Sequence, residues 1–152
     1  MRKVPRILVI DDDEGVRKVL YAVLKDRGYD VDTAMNGEEA IRKAQKTFFN
    51  LALIDVRLPD MEGTELLLRL EDTTPRMVKI ILTGYPALEN AIAAVNRGAD
   101  GYLIKPVNMT TLVEKIEEHL KKQTEYMKYG EEKVAQYIET RARQVGYTPR
   151  QY

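Results

Sequence analysis

Four short apolar runs recur along the chain, each continuous rather than alternating: RILVI (6–10), LALID (51–55), VKIIL (78–82) and GYLIK (101–105). A strand that is apolar at nearly every position has to be covered on both faces, which is the situation of a parallel sheet lying between layers of helix. A fifth run, YDVDTA (29–34), alternates and fits an edge strand. Between the runs, apolar residues return every three or four positions: Val16, Val19, Leu20, Val23 and Leu24; Ala40, Ile41 and Ala44; Leu66, Leu67 and Leu70; Leu88, Ile92 and Val95. That is helical spacing. Strand and helix therefore alternate five times, and right-handed crossovers put helices on both sides of an open α/β sheet. Punctuation agrees, with Gly28 and Gly98 just past helices, Asn36-Gly37 opening one, and Pro59 and Pro86 in loops after strands.

A length of 152 residues allows one domain with a real core plus an appendage. Lys and Arg total 24 against 24 Asp and Glu, so no basic field exists to hold a nucleic-acid backbone or an anionic membrane. No apolar run approaches the roughly 20 residues of a membrane span, and MRKVPRILVIDDD has too short an apolar segment for a signal peptide. A cytoplasmic protein is expected. The absence of cysteine excludes a disulfide scaffold, a thiolate zinc site and a cysteine nucleophile.

In open parallel sheets ligands sit at the carboxyl ends of the strands. The first run passes straight into Asp11, Asp12 and Asp13. Such a cluster is either a solvated loop opening a helix near Glu14 or an ion site, because packed carboxylates repel unless a cation offsets them. The third run ends in Asp55, the fourth in Thr83-Gly84 and the fifth in Lys105-Pro106. Each has an ordinary reading alone, as a turn, a cap or a solvated lysine. Together they place acids, a hydroxyl and an ammonium on one edge. Carboxylates from neighbouring strands suit Mg²⁺, a lysine suits a transferring phosphoryl group, and a carboxylate can itself be the nucleophile.

Four separated motifs, ILVIDDD, LALIDVRLPDMEG, IILTGY and GADGYLIKP, are similar to those of the receiver domain of two-component response regulators, chemotaxis-Y-like and NtrC-type. The resemblance covers about residues 5 to 122 and implies a flavodoxin-like, doubly wound sheet of strand order 2-1-3-4-5, a receiver domain over 1–122, and a helical extension or linker over 123–152. It implies that Asp55 is the phosphoacceptor and that Asp11 and Asp12 hold Mg²⁺ or Mn²⁺, Asp12 more directly and Asp11 partly through water. Asp13 then falls to the start of the first helix. The backbone carbonyl of Arg57 completes the metal site; Thr83 and Lys105 bind phosphoryl oxygens; Lys105-Pro106 is expected cis; Gly84 leaves room for the phosphodonor. Tyr102 is either the switch aromatic or ordinary strand packing. Arg57 and Tyr85 stand where bulk screens the acyl phosphate from water and prolongs its life. The implied partners are a sensor histidine kinase or phosphotransfer protein and a downstream protein, with a homodimer through the helix-four, strand-five, helix-five face or through an extended helix five.

Such a domain catalyses only its own phosphorylation and dephosphorylation. Rival functions are a haloacid-dehalogenase-type phosphatase, which needs a second aspartate where this chain has Arg57, and a phosphotransfer protein carrying phosphate on His119. A phosphorelay intermediate, a phosphate sink and a receiver-like scaffold that takes no phosphate remain as variants. The tail supports two readings. Val113, Leu120, Met127 and Val134 recur every seven residues, as in one prolonged helix, but Ile116, Gln123, Gly130 and Tyr137 are poor companions. Alternatively the helix breaks near Gly130 and EEKVAQYIETRARQV forms a separate helix stopped by Gly146. No recognisable effector follows, so the chain is either a stand-alone receiver or the front of a longer product.

Overall fold

The computed structural model describes residues 3–70, 73, 75–84 and 87–146. Tyr85 and Pro86 lie outside the described residues. Ten elements alternate along the chain: β1 (Arg6–Ile10), α1 (Glu14–Asp26), β2 (Asp30–Ala34), α2 (Gly37–Lys46), β3 (Leu51–Asp55), α3 (Gly63–Arg69), β4 (Val78–Thr83), α4 (Leu88–Asn96), β5 (Gly101–Ile104) and α5 (Met109–Gln144). The strands form one parallel sheet in the order β2-β1-β3-β4-β5. The winding reverses beside β1 and β3, the two central strands.

Alternation of side chains along each strand divides the core. Ile7, Val9, Leu51, Leu53, Ile80 and Leu82 face α1 and α5, where Leu20, Leu24, Leu112, Ile116 and Leu120 meet them. Leu8, Ile10, Ala52, Ile54 and Ile81 face the opposite layer, against Ala40, Ile41, Leu66, Leu67 and Ala94. Short polar side chains start three helices: Asp13 accepts from the N–H of Val16 at 3.1 Å, Asn36 from Glu39 at 2.8 Å, and Asn108 from Thr110 at 2.8 Å. Gly28, Gly98 and Gly146 follow helices with positive φ, a conformation that glycine adopts without strain. Among the described residues no helix is long and apolar enough to cross a membrane.

Two expectations need correction. The Leu88, Ile92, Val95 spacing is not the buried face of α4: Ile92 and Val95 are 52% and 65% exposed while Ala94 is fully buried, and the side chain of Leu88 lies outside the described residues. α4 rests near the sheet edge on its small residue and turns its larger apolar side chains outward. β5 is an edge strand, half-buried from Gly101 to Leu103 with Ile104 exposed, and among the described residues no strand pairs with its outer side. Of the two readings of the tail, the prolonged helix is the one observed: α5 runs unbroken through Gly130 as a single helix of 36 residues. One glycine costs an exposed helix interior only about 1 kcal/mol, too little by itself to end the helix.

Candidate functional site

Parallel register carries the ends of four strands to one edge: Ile10 is level with Ile54, Asp55 with Leu82, and Thr83 with Ile104. Asp11, Asp12 and Asp55 each offer a carboxylate oxygen there, all within 4.8 Å of one another. Asp11 and Asp55 are buried; Asp12 is exposed. Asp13 points away into its capping role.

Lys105 answers this concentration of acid. The Nζ of Lys105 donates to Oδ2 of Asp11 at 2.7 Å and stands 3.7 Å from Oδ1 of Asp55. The Lys105-Pro106 peptide is cis, and the Lys105 N–H donates to the Thr83 carbonyl at 2.7 Å. Burial first, and the charge of Asp11 next, push the Asp55 carboxyl up to about 6, against the downward pull of Lys105 and of the Arg57 N–H. One ammonium beside three carboxylates leaves an oxygen-lined, negatively charged pocket, which fits a hard divalent ion.

The remaining predicted residues surround this pocket. The Arg57 N–H donates to Oδ1 of Asp55 at 3.4 Å, its side chain is exposed, and a bridge to Glu62 closes its loop. Thr83 is fully buried at the end of β4. Gly84 is exposed, with open space where a side chain would begin. Tyr102 packs against the α2–α3–α4 side of the core, and its buried hydroxyl has no hydrogen-bond partner among the described residues. His119 lies beside Gly101, at the other end of the sheet from the acids.

Three supporting residues escaped the reading of the sequence. Gly63 opens α3 so close to β3 that an added Cβ would collide with the Asp55 carbonyl. Asp60 accepts from the N–H groups of Gly37 and Glu38, both at 2.9 Å, tying the loop after β3 to the start of α2. Arg17 donates from Nη1 to the Asp11 carbonyl at 2.7 Å. Gly63 and Asp60 both stand inside the motif LALIDVRLPDMEG, so a signal was present, but the partners of Asp60 come from α2 and the close approach of Gly63 to Asp55 appears only once the loop is folded.

A doubly wound 2-1-3-4-5 sheet with clustered aspartates facing a lysine defines the receiver class of signalling domain. The chain belongs to the response regulator receiver domain family, whose model matches residues 7–117. It is 38% identical over 106 residues to the transcriptional regulatory protein ZraR of Klebsiella oxytoca, a match covering 70% of this chain and 24% of that one. The chain thus spans about a quarter of that relative's length. Among solved structures, a CheY-like receiver domain protein from Methanospirillum hungatei superposes with a TM-score of 0.79 and 45% identity, over 82% of this chain and 99% of the other. The beryllofluoride-activated NtrC4 receiver domain dimer superposes with a TM-score of 0.72 and 31% identity, over 78% of this chain and 98% of the other.

Proposed function

We propose that Asp55 takes a phosphoryl group from a phosphohistidine donor in a Mg²⁺-dependent reaction, and that the resulting acyl phosphate alters the face made by α4, β5 and α5. The observation that carries this reading is the cluster of Asp11, Asp12 and Asp55 within 4.8 Å, opposed by Lys105. Asp12, Asp55 and the Arg57 carbonyl would hold the ion directly, and Asp11, whose oxygens accept from the Asp13 N–H and from Lys105, would act partly through water. The bound ion, Mg²⁺ or Mn²⁺, supplies positive charge for the phosphoryl oxygens.

A carboxylate oxygen of Asp55 attacks phosphorus as the phosphorus–nitrogen bond to the donor imidazole breaks; the imidazole keeps the bonding pair and takes a proton from solvent. Lys105 exchanges its contact with Asp11 for a phosphoryl oxygen, and the Thr83 hydroxyl takes another. Gly84 leaves the approach open. Arg57, in the loop that follows Asp55, shields the product from water.

Two packings must lie close in energy for such a modification to act as a switch. Tyr102 supports this. Leaving its hydroxyl buried without a partner costs about 1–3 kcal/mol, which narrows the gap to an outward rotamer that reaches water. The surface that would report the change carries Ile92, Val95 and Ile104, all exposed. An apolar cleft of about 600 Å³ between α1 and α5, lined by Val16, Val19, Pro106 and Met109 beside Lys105, would seat the helix of a sensor kinase or phosphotransfer protein. The receiver itself has no charge excess for contacting nucleic acid; any such contact by a longer product would lie outside residues 1–122, with 123–152 as its linker.

Incubation with acetyl phosphate and Mg²⁺, followed by peptide mass spectrometry, tests the assignment. One phosphoryl group is expected on the peptide containing Asp55, lost in Asp55→Asn and on chelation of the metal but retained in His119→Ala. An adduct elsewhere, or none on a folded protein with metal present, overturns it.

A further inference from the structure

The loop between β3 and α3 is a miniature hairpin. The Gly63 N–H donates to the Val56 carbonyl at 2.7 Å and the Leu58 N–H to the Met61 carbonyl at 3.2 Å, with Arg57 facing Glu62 between these two bonds. Pro59 and Asp60 form its tip. In an antiparallel pair flanked in this way the backbone groups of both residues point out of the ladder. The Arg57 N–H accordingly reaches Oδ1 of Asp55, and the Arg57 carbonyl lies outside the ladder as well. A single hairpin is marginal in water by itself, so the position of this one depends on what its tip touches.

The tip is held from outside. Oδ1 of Asp60 accepts from the Gly37 N–H and Oδ2 from the Glu38 N–H, both at 2.9 Å. These are the first two residues of α2, whose Asn36 cap accepts from Glu39 instead, so the carboxylate takes donors that the helix leaves unpaired. Desolvation works against the charge, but these N–H groups and Arg69 outweigh it and hold the Asp60 carboxyl below its ordinary value. Met61, the next residue, packs on the same spot, where a Cβ on Gly37 would overlap its thioether. α2 is itself seated in the core by Ala40 and Ile41. Two adjacent side chains of the loop thus grip a fixed support.

We infer that Asp60 is a positioning residue that selects the ion: by fixing the loop to α2 it holds the Arg57 carbonyl in place beside the aspartates and so favours Mg²⁺ over Ca²⁺. The inference rests on the reading of Asp12, Asp55 and the Arg57 carbonyl as the direct ligands. Mg²⁺ demands oxygens at about 2.0–2.1 Å in near-ideal octahedral geometry, whereas Ca²⁺ accepts about 2.3–2.6 Å and irregular arrangements. The carboxylates of Asp12 and Asp55 adjust by rotating their side chains. A main-chain carbonyl moves only with its loop. Releasing the tip therefore penalises the smaller ion more, although Asp60 acts through the loop and not by touching the ion.

Calorimetric titration of the full chain with Mg²⁺ and, separately, with Ca²⁺ tests this. Asp60→Ala is expected to weaken Mg²⁺ binding about tenfold or more and Ca²⁺ binding by about threefold or less. Asp60→Asn keeps one acceptor oxygen and should fall between Asp60→Ala and the parent in its preference for Mg²⁺. Circular dichroism and chemical denaturation establish that each variant is folded. Equal weakening of both ions would mean that only a negative charge has been lost, and Mg²⁺ affinity equal to the parent's would mean that the loop needs no clamp. Either result overturns the inference while leaving the metal site standing. A parent chain that binds neither ion would overturn the site and the inference together.

Discussion

Asp55 ends a strand buried at all five positions, so its carboxyl group emerges into a pocket already holding Asp11. Its raised pKa has a definite sign for stability. The protonated form is favoured in the folded state, so the contribution is full below the ordinary carboxylate value of 3.8 and is lost as pH climbs through about 6. The cost of ionising it in the fold is at most about 3 kcal/mol. Asp55→Asn should therefore raise the melting temperature of the metal-free protein at pH about 7.5 and have little effect at pH about 4. Thermal melts of the two proteins at both pH values, with chelator present, check this. Equal shifts at both would mean that the carboxyl is not strained by its neighbours. The position of Lys105 is legible at the same scale, since its ammonium is shared between Asp11 and Asp55.

At the scale of elements, the site depends on how closely α3 approaches β3. Gly63 carries that approach, and Gly63→Ala should cost about 1–3 kcal/mol in chemical denaturation, because a methyl group meets the Asp55 carbonyl rather than a side chain that could move. The orientation of α4 gives a second test. Ala94→Leu should be destabilising by a similar amount, about 1–3 kcal/mol, whereas Val95→Lys should stay within about 0.5 kcal/mol of the parent. The opposite ranking would restore the helical face that apolar spacing first indicated. That spacing misled because Leu, Ile and Val were counted as core and Ala was not, while a helix lying close to a sheet buries its smallest residue where the backbones come nearest.

For the whole molecule, an ion bound only by the folded state stabilises by mass action, by about 2.7 kcal/mol at one hundred times its dissociation constant. Mg²⁺ should raise the melting temperature at neutral pH, less in Asp12→Asn, and less at acid pH where Asp55 holds its proton. Calorimetric scans with and without the ion test this, and the same increment in parent and Asp12→Asn would remove Asp12 from the site. α5 belongs to this scale too, since its first turns complete the domain core while its turns beyond Gln123 are exposed or partly exposed.

Strand positions, the parallel sheet and the residues at strand ends could be read from the chain, because a run apolar at every position and a polar residue closing it are local facts. The motifs around Asp11, Asp55, Thr83 and Lys105 pointed to one edge before any contact was known. Only the tertiary structure decided which oxygens of Asp11 are occupied, that Gly63 must lack a side chain, and that Asp60 holds the start of α2 from more than twenty residues away. It also decided that α5 passes through Gly130 and that Ile92 and Val95 face outward. The physical reason is the same throughout: local pattern sets what each segment can form, whereas packing between segments distant in sequence sets which face is covered and which polar atom finds a partner.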